Sequence, residues 1–229
     1  MVKDILSKKK IIINYLMKYP NIFTDLEKKQ IINYIDSFGK YKFVPDTVRE
    51  VYDELGLIQD DNNIYLGFIE LIRNIYDIDD MKIVEVGGGV LPRLGKRLSD
   101  IISTGSITVY DPRLSVYESN NEKLRLVREN FSINTNISDA DLLIGLMPCE
   151  ACDVIVESAL MYEKNFILAL CEGGAHGEEF DYFEDEEEWQ NSIIRQTKKE
   201  VEEKGMGKLK IKYLKEYGNP YPIIYNDKG

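Results

Sequence analysis

Hydrophobic residues in the first 80 positions recur three and four residues apart, which is the spacing of an amphipathic helix. Pro20 and Gly56 end two of these patterns. Four groups of apolar residues carry the patterns: Ile11, Ile12, Tyr15, Leu16 and Tyr19; Leu26, Ile31, Ile32 and Ile35; Val48, Val51, Tyr52 and Leu55; and Tyr65, Phe68, Ile69, Ile72 and Ile75. We therefore predict a helical N-terminal subdomain, or cap, over residues 1–78.

Beyond residue 81 the pattern changes to short apolar runs that alternate with helical spacings. The runs predict strands at 82–86, 106–110, 141–147 and 165–171. The spacings predict helices at 92–103 and 150–162. The run at 124–129 fits a strand, and a helix over 121–131 fits equally well. Strands that alternate with helices indicate βαβ units and a parallel sheet.

The end of the chain departs from this alternation. A helix is predicted over 186–204, and Gly205 ends it. Two strands, 208–217 and 221–225, are joined by a turn at 218–220, which predicts an antiparallel hairpin. The predicted fold class is α/β, with a doubly wound, mostly parallel seven-stranded sheet over residues 79–229.

A cluster of three glycines, Gly87-Gly88-Gly89, follows the first predicted strand directly. Glycine accepts positive φ and lets a ligand approach the backbone, and Pro92 suits the first turn of the helix that follows. The next strand ends at Asp111, where a carboxylate can accept hydrogen bonds from a ribose diol. We expect a nucleotide-type cofactor at this edge of the sheet. A loop that binds no ligand is the alternative.

Two features of the loop favour S-adenosylmethionine (SAM) over NAD. A dinucleotide-binding loop has a third glycine for close packing of helix on strand, and this loop lacks it. Glu85, at the end of the strand, would repel a pyrophosphate. The same carboxylate suits the ammonium group of SAM, directly or through water.

The motifs resemble those of the class I SAM-dependent methyltransferases. Val84-Glu85-Val86-Gly87-Gly88-Gly89 resembles their motif I, and Val109-Tyr110-Asp111 resembles their acidic second motif. Leu91 stands where motif I usually has its third glycine. The resemblance implies SAM as the cofactor, with Glu85, the three glycines, Asp111 and Pro112 near it.

The stretch 141–153 resembles a variant motif IV found in eukaryotic-type tRNA 2′-O-methyltransferases and related proteins. Their strand ends in His-x-Cys-Gly-x-x-Thr-Asp, whereas this chain has Met147 in place of the histidine and Cys152 in place of the threonine. In the following strand, Glu172 replaces a second cysteine. The resemblance implies that Met147 and Pro148 border the site of methyl transfer.

Several further residues are candidates for chemistry. Glu129 and Asn130 are the polar residues at the end of the third predicted strand, at the position that contacts the adenine amino group in related folds. His176 lies in a glycine-rich loop after the fifth strand and is a candidate general base, with a surface position as the alternative.

The three cysteines, Cys149, Cys152 and Cys171, are more consistent with buried packing than with a zinc site. We therefore predict no metal. A reactive thiol at the start of the helix is the alternative.

The formal net charge of −11 argues against nonspecific nucleic-acid binding. The acidic stretch 178–188 is typical of a solvated loop or helix start. Beside the expected pocket, it would attract a cationic substrate or repel phosphate. No apolar stretch is long enough to span a bilayer, and three cysteines do not form a disulfide framework, so a cytoplasmic location is expected.

These features favour methyl transfer from SAM to a small polar or cationic acceptor, while the resemblance points towards RNA. A non-catalytic module that binds SAM or a nucleotide is the second hypothesis. An NAD-dependent oxidoreductase is the third, and the terminal hairpin argues against it. A homodimer is compatible with all three.

Overall fold

The computed structural model divides into two compact units, one formed by residues 1–62 with 115–118 and the other by residues 63–114 with 119–229. The structure describes residues 2–18, 20, 23–34, 48, 51–52, 55, 57, 63–89, 91–114, 121–148, 151–171, 186–215 and 219–228.

The first unit contains helices α1 (Val2–Lys18) and α2 (Asp25–Tyr34). Thr24 and Glu27 cap α2 reciprocally, since the Glu27 N–H donates to Thr24 Oγ1 at 3.2 Å and the Thr24 N–H donates to Glu27 Oε2 at 2.8 Å. The third predicted helix lies largely outside the described residues. Among the described residues of this unit, the buried apolar side chains are Ile12, Leu16, Phe23, Ile31, Val48, Val51 and Tyr52.

The second unit is built on one seven-stranded sheet. Its elements in chain order are α3 (Asn63–Ile75), β1 (Lys82–Val86), α4 (Arg93–Ile101), β2 (Ser106–Tyr110), β3 (Leu124–Val127), β4 (Leu142–Leu146), α5 (Cys152–Met161), β5 (Asn165–Ala169), α6 (Glu186–Glu203), β6 (Lys208–Leu214) and β7 (Asn219–Asp227). The strand order is β3-β2-β1-β4-β5-β7-β6. Strands β1 to β5 are parallel, and β7 lies antiparallel between β5 and β6. The predicted fold class is therefore confirmed, and the run at 124–129 forms a strand rather than a helix.

The sheet is covered on both faces. Ile83 belongs to an apolar core with residues of α3 and α4, whereas its neighbour Val84 belongs to a core with residues of α5 and α6. Successive side chains of a strand point to opposite faces, so the two cores lie on opposite sides of the sheet. Strand β1 lies between β2 and β4 at the centre of the sheet. This position explains why the sequence of β1 is almost continuously apolar.

Helix α3 belongs to the sheet unit, because its side chains Phe68 and Ile72 are fully buried in the same core as Leu94 and Leu98 of α4. The structure therefore divides the chain at residue 62 rather than after residue 78. Periodicity predicts this helix but does not show which core its apolar face enters. The predicted role of the N-terminal residues as a cap stays a prediction.

A buried asparagine fixes the terminal hairpin against the rest of the sheet. Asn226 is fully buried, and its Oδ1 accepts a hydrogen bond from the backbone N–H of Phe166 at 2.8 Å. Its Nδ2 donates to the carbonyl of Met206 at 3.3 Å, and its own carbonyl accepts from the Tyr76 hydroxyl at 3.0 Å. One side chain thus connects β5, β7 and the turn after α6.

Strand β6 forms one edge of the sheet, and its lysines Lys208, Lys210 and Lys212 are exposed at alternate positions. Within the described part of the chain, no helix has both the length and the apolar character needed to cross a bilayer.

Candidate functional site

The glycine loop lies where the carboxyl ends of β1 and β2 meet the end of β4. Gly87 has φ +80°, and its N–H donates to the carbonyl of Tyr110 at 2.9 Å. A Cβ on Gly87 would lie 2.9 Å from Cα of Pro148, which is closer than side chains pack. The positive φ and the contact with Pro148 together require glycine at this position.

The second glycine is required by packing on the sheet. A Cβ on Gly88 would overlap Cγ1 of Val109 on β2. At Gly87 and Gly88 the absent side chain therefore makes room for the protein itself. The predicted contact of these two glycines with a ligand stays a prediction. Gly89 has φ +75°, so it too occupies the left-handed region.

Asp111 connects the loop to the end of β2. Its Oδ2 accepts a hydrogen bond from the backbone N–H of Gly89 at 2.8 Å, and its Oδ1 accepts one from the N–H of Arg113 at 2.7 Å. The Arg113 Nε lies 3.5 Å from the same Oδ1. Asp111 is only 3% exposed. The two parts of the predicted cofactor site, the glycines and the acid at the strand end, are thus in direct contact.

Glu85 lies beneath the loop. Alternation along β1 places it on the face covered by α4, where it is 3% exposed. Its Oε1 lies 3.5 Å from where a Cβ of Gly88 would be, and its Oε2 has no hydrogen-bond partner among the described residues. The Glu85 carboxyl group is therefore buried under the loop and is not exposed at the solvent-facing surface of the loop.

Burial raises the pKa of the Glu85 carboxyl to about 8. The backbone N–H of Gly95 offsets part of this increase, and the nearby charge of Asp111 adds to it. Glu85 is therefore largely protonated at neutral pH. Protonation would weaken the expected repulsion between Glu85 and a pyrophosphate, and that repulsion stays a prediction.

Gly95 is a site residue that the sequence motifs did not indicate. A Cβ on Gly95 would lie 2.5 Å from Cγ2 of Val109 and 2.6 Å from Oε2 of Glu85. It thus brings α4 close to the sheet, which is the function of the third glycine in a dinucleotide-binding loop. Glycine within a helix lowers the stability of the helix by about 1 kcal/mol relative to alanine. A glycine inside a predicted helix therefore indicates that close packing requires it.

The end of β4 completes the described site. Met147 has φ +52°, which is uncommon for a residue with a side chain, and its N–H donates to the carbonyl of Ala169 on β5 at 2.9 Å. Pro148 follows it and packs against Gly87 and against Gly145, whose absent Cβ would lie 2.8 Å from the Pro148 ring. The structure therefore brings Pro148 to the glycine loop.

Other predicted cofactor residues lie at the surface. Glu129 and Asn130 follow β3 and are exposed. Pro112 is exposed as well, and its carbonyl accepts a hydrogen bond from Arg128 Nε at 3.4 Å. Their predicted contacts with a cofactor stay predictions.

The side chains of Cys152 and Cys171 are buried. Burial raises the pKa of the Cys152 thiol well above its usual range, and the neighbouring Cys171 and Asp153 add to this. Burial therefore disfavours a reactive thiol at Cys152, and the alternative of a reactive thiol at the start of α5 stays a prediction. The described residues contain no group of three or more metal-ligating side chains. Cys149, Glu172, His176 and most of the acidic stretch 178–188 lie outside the described residues.

No protein-family model matches the sequence, and a search of curated proteins finds no match. Among solved structures, the chain is similar to precorrin-6y C5,15-methyltransferase from Geobacter metallireducens, with a TM-score of 0.51 and 15% identity. The match covers 76% of this chain and 91% of that one. Together with the strand order, this similarity shows that the chain has the class I SAM-dependent methyltransferase fold, as motif I implied.

Two further structures are similar at lower TM-scores. One is a putative SAM-dependent methyltransferase from Methanococcus maripaludis, with a TM-score of 0.47 and 17% identity over 82% of this chain and 95% of that one. The other is Aeropyrum pernix fibrillarin with natively bound SAM, with a TM-score of 0.46 and 15% identity over 71% of this chain and 75% of that one.

Proposed function

We propose that this protein binds SAM at the carboxyl ends of β1, β2 and β4 and transfers its methyl group to an acceptor. The observation that carries the proposal is the hydrogen bond from the Gly89 N–H to Asp111. It joins the glycine loop to the acidic strand end, the two sequence features from which a cofactor site was predicted.

The residues at this edge fit the chemistry of SAM. The molecule carries a sulfonium and an ammonium, and two carboxyl groups, Glu85 and Asp111, lie next to the loop. Glu85 Oε2, unpartnered among the described residues, is a buried acceptor that a cationic ligand above the loop would stabilise in its ionised form. Each oxygen of Asp111 already accepts one N–H, and a carboxylate oxygen can accept a second hydrogen bond.

SAM, when bound, supplies an electrophilic methyl group on its sulfonium centre. Asp111 would bind the ribose, and the Gly87–Gly89 backbone would hold the methionine end. Met147 and Pro148 would border the acceptor. Methyl transfer depends largely on aligning a nucleophile with the methyl group, so positioning by these rigid strand ends contributes more than an acid–base residue. His176 stays a candidate general base.

We propose a small polar or cationic acceptor. The net charge of −11 supports this choice, because an acidic surface attracts cations and disfavours phosphates. RNA, towards which the resemblance of residues 141–153 points, is the alternative acceptor.

A second candidate is a module that keeps the fold without transferring a methyl group. The burial of Asp111 favours it, because both carboxylate oxygens already have protein donors and only 3% of the residue is exposed. An NAD-dependent oxidoreductase is disfavoured by the antiparallel β7 between β5 and β6, where dinucleotide folds continue with parallel strands.

Isothermal titration calorimetry with SAM, S-adenosylhomocysteine and NAD tests the proposal. We expect the first two ligands to bind, NAD not to bind, and Asp111→Asn to weaken SAM binding at least about tenfold, a loss of about 1.4 kcal/mol. Asp139→Asn is the matched control, because Asp139 is exposed and precedes the amino end of β4. Absence of SAM binding at millimolar concentration contradicts the proposal. Binding without transfer from radiolabelled SAM to any acceptor in a cationic-metabolite and RNA screen supports the second candidate.

A further inference from the structure

A groove of about 760 Å³ runs between α5 and α6, away from the glycine loop. Val156, Leu160 and Ile193 form its apolar floor, and Met161 at its side is 57% exposed. An exposed methionine beside an apolar floor is a surface to which another apolar group can bind.

The walls of the groove are acidic. Asp153 and Glu157 come from α5, and Glu200 and Glu203 come from α6. Lys204 is the single cationic side chain among the described residues that line it. The groove therefore favours a segment that combines apolar side chains with positive charge.

Helix α1 of this chain has that combination. It contains five lysines and one aspartate. Its side chains Ile13 and Met17 are 43% and 74% exposed, whereas Ile12 and Leu16 are buried. Together with the exposed Lys10, they form a stripe with spacings of three and four residues, which is how a helix binds in a groove.

The dimensions of the two surfaces agree. At 1.5 Å per residue, the stripe from Lys10 to Met17 spans about 10 Å along α1. The ten residues of α5, which form one wall of the groove, span about 15 Å. The stripe on α1 is therefore shorter than α5 and fits along the groove.

We infer that α1 of one copy of this protein binds in the α5–α6 groove of a second copy. The stripe lies on the apolar floor, and the lysines lie between the carboxylates of the two walls. If each copy contributes its α1 to the other, the two contacts are equivalent and the assembly closes as a twofold dimer. This inference does not depend on the proposed SAM site.

Paired charge reversals in the full-length protein test the contact. Lys9→Glu with Lys10→Glu makes α1 repel the acidic groove, and Glu200→Lys with Glu203→Lys makes the groove repel the basic α1. We expect sedimentation velocity to show a concentration-dependent dimer for the wild type, and each double variant to raise the dissociation constant at least about tenfold. Glu202→Lys on α6 and Lys29→Glu on α2 are exposed controls outside the two surfaces and should leave it unchanged.

Mixing the two double variants gives the decisive result. In a mixed pair, the acidic α1 of one variant meets the basic groove of the other, and the remaining contact has its original charges. The mixture should therefore dimerise at concentrations at which neither variant alone does, which also shows that both are folded. A wild type that stays monomeric, a dimer that is insensitive to both reversals, or a mixture that stays monomeric would each overturn the inference.

Discussion

Glu85 illustrates how burial changes the chemistry of a single side chain. It lies between the glycine loop and α4 with one carboxylate oxygen unpartnered among the described residues, and burial raises its pKa to about 8. In the unfolded chain its pKa is near the ordinary value of 4.5. Between these two values the folded protein binds a proton that the unfolded chain does not. Raising the pH through this range therefore lowers the free energy of unfolding.

Replacing Glu85 by glutamine should remove this pH dependence. We expect the stability of the wild type, relative to Glu85→Gln, to fall between about pH 5 and pH 8, by up to about 1.4 kcal/mol per pH unit, and to level off above pH 8. Urea unfolding of both proteins across this range measures the difference. If the free energy of unfolding changes with pH in the same way for both proteins, the pKa of Glu85 does not differ between the folded and unfolded states.

The sequence places Glu85 at the end of a strand but does not give its surroundings. Its closeness to the glycines favours a ligand contact, yet the alternation of β1 directs it under α4, where Gly95 makes space for it. Asp111 is different, because a residue directly after a strand of a parallel sheet must lie at the carboxyl edge. Its position was therefore predictable, whereas its hydrogen bonds to Gly89 and Arg113 depend on loop conformations that a motif does not specify.

The distance between helix α4 and strand β2 depends on one glycine, Gly95. Helix propensity alone favours alanine at Gly95 by about 1 kcal/mol. Against that, a Cβ would meet Val109 and Glu85 at 2.5 and 2.6 Å, and overpacking of this kind costs about 1–3 kcal/mol. The packing cost is the larger effect, because the contacts are with a β-branched side chain in the sheet and a buried carboxyl.

Gly95→Ala should therefore destabilise the protein by up to about 2 kcal/mol in urea unfolding, which is the packing cost less the gain in helix propensity. The double-mutant cycle with Val109→Ala isolates the cause, because removing Cγ2 of Val109 relieves one of the two contacts. In that background the cost of Gly95→Ala should fall by about half. If the cycle shows no coupling between Gly95 and Val109, α4 is not held close to the sheet by Gly95.

The strands were predictable where apolar runs are bounded by turn residues, as in β1, β2, β4, β5 and the terminal hairpin. Strand β3 was ambiguous, because its four residues are too few to distinguish a period of two from one of 3.6. Pairing with β2 settles its conformation, and pairing is a tertiary effect. The same holds for α3, whose periodicity predicts a helix but whose burial with α4 assigns it to the sheet unit.

For the whole molecule, the net charge of −11 affects which partners can bind. Nonspecific binding to nucleic acid depends on neutralising phosphates with lysine and arginine, and an acidic protein repels the phosphate backbone instead. We expect filter binding with bulk tRNA at physiological salt to show no retention at protein concentrations up to about 10⁻⁴ M, the weaker end of typical nonspecific affinities. Retention that weakens steeply as salt is raised would show a local basic surface and would favour RNA as the acceptor.

The edge of the sheet formed by β6 has a further consequence for the protein at high concentration. An open edge strand can pair with the edge of another molecule, which is a common route to amyloid-like aggregation. Here Lys208, Lys210 and Lys212 would place like charges opposite each other if two β6 strands paired. Lysines on an edge strand are one of the ways in which natural sheets prevent this pairing. We therefore expect growth of the sheet beyond β6 to be unfavourable, so that the lysines of this strand help to keep the protein dispersed at high concentration.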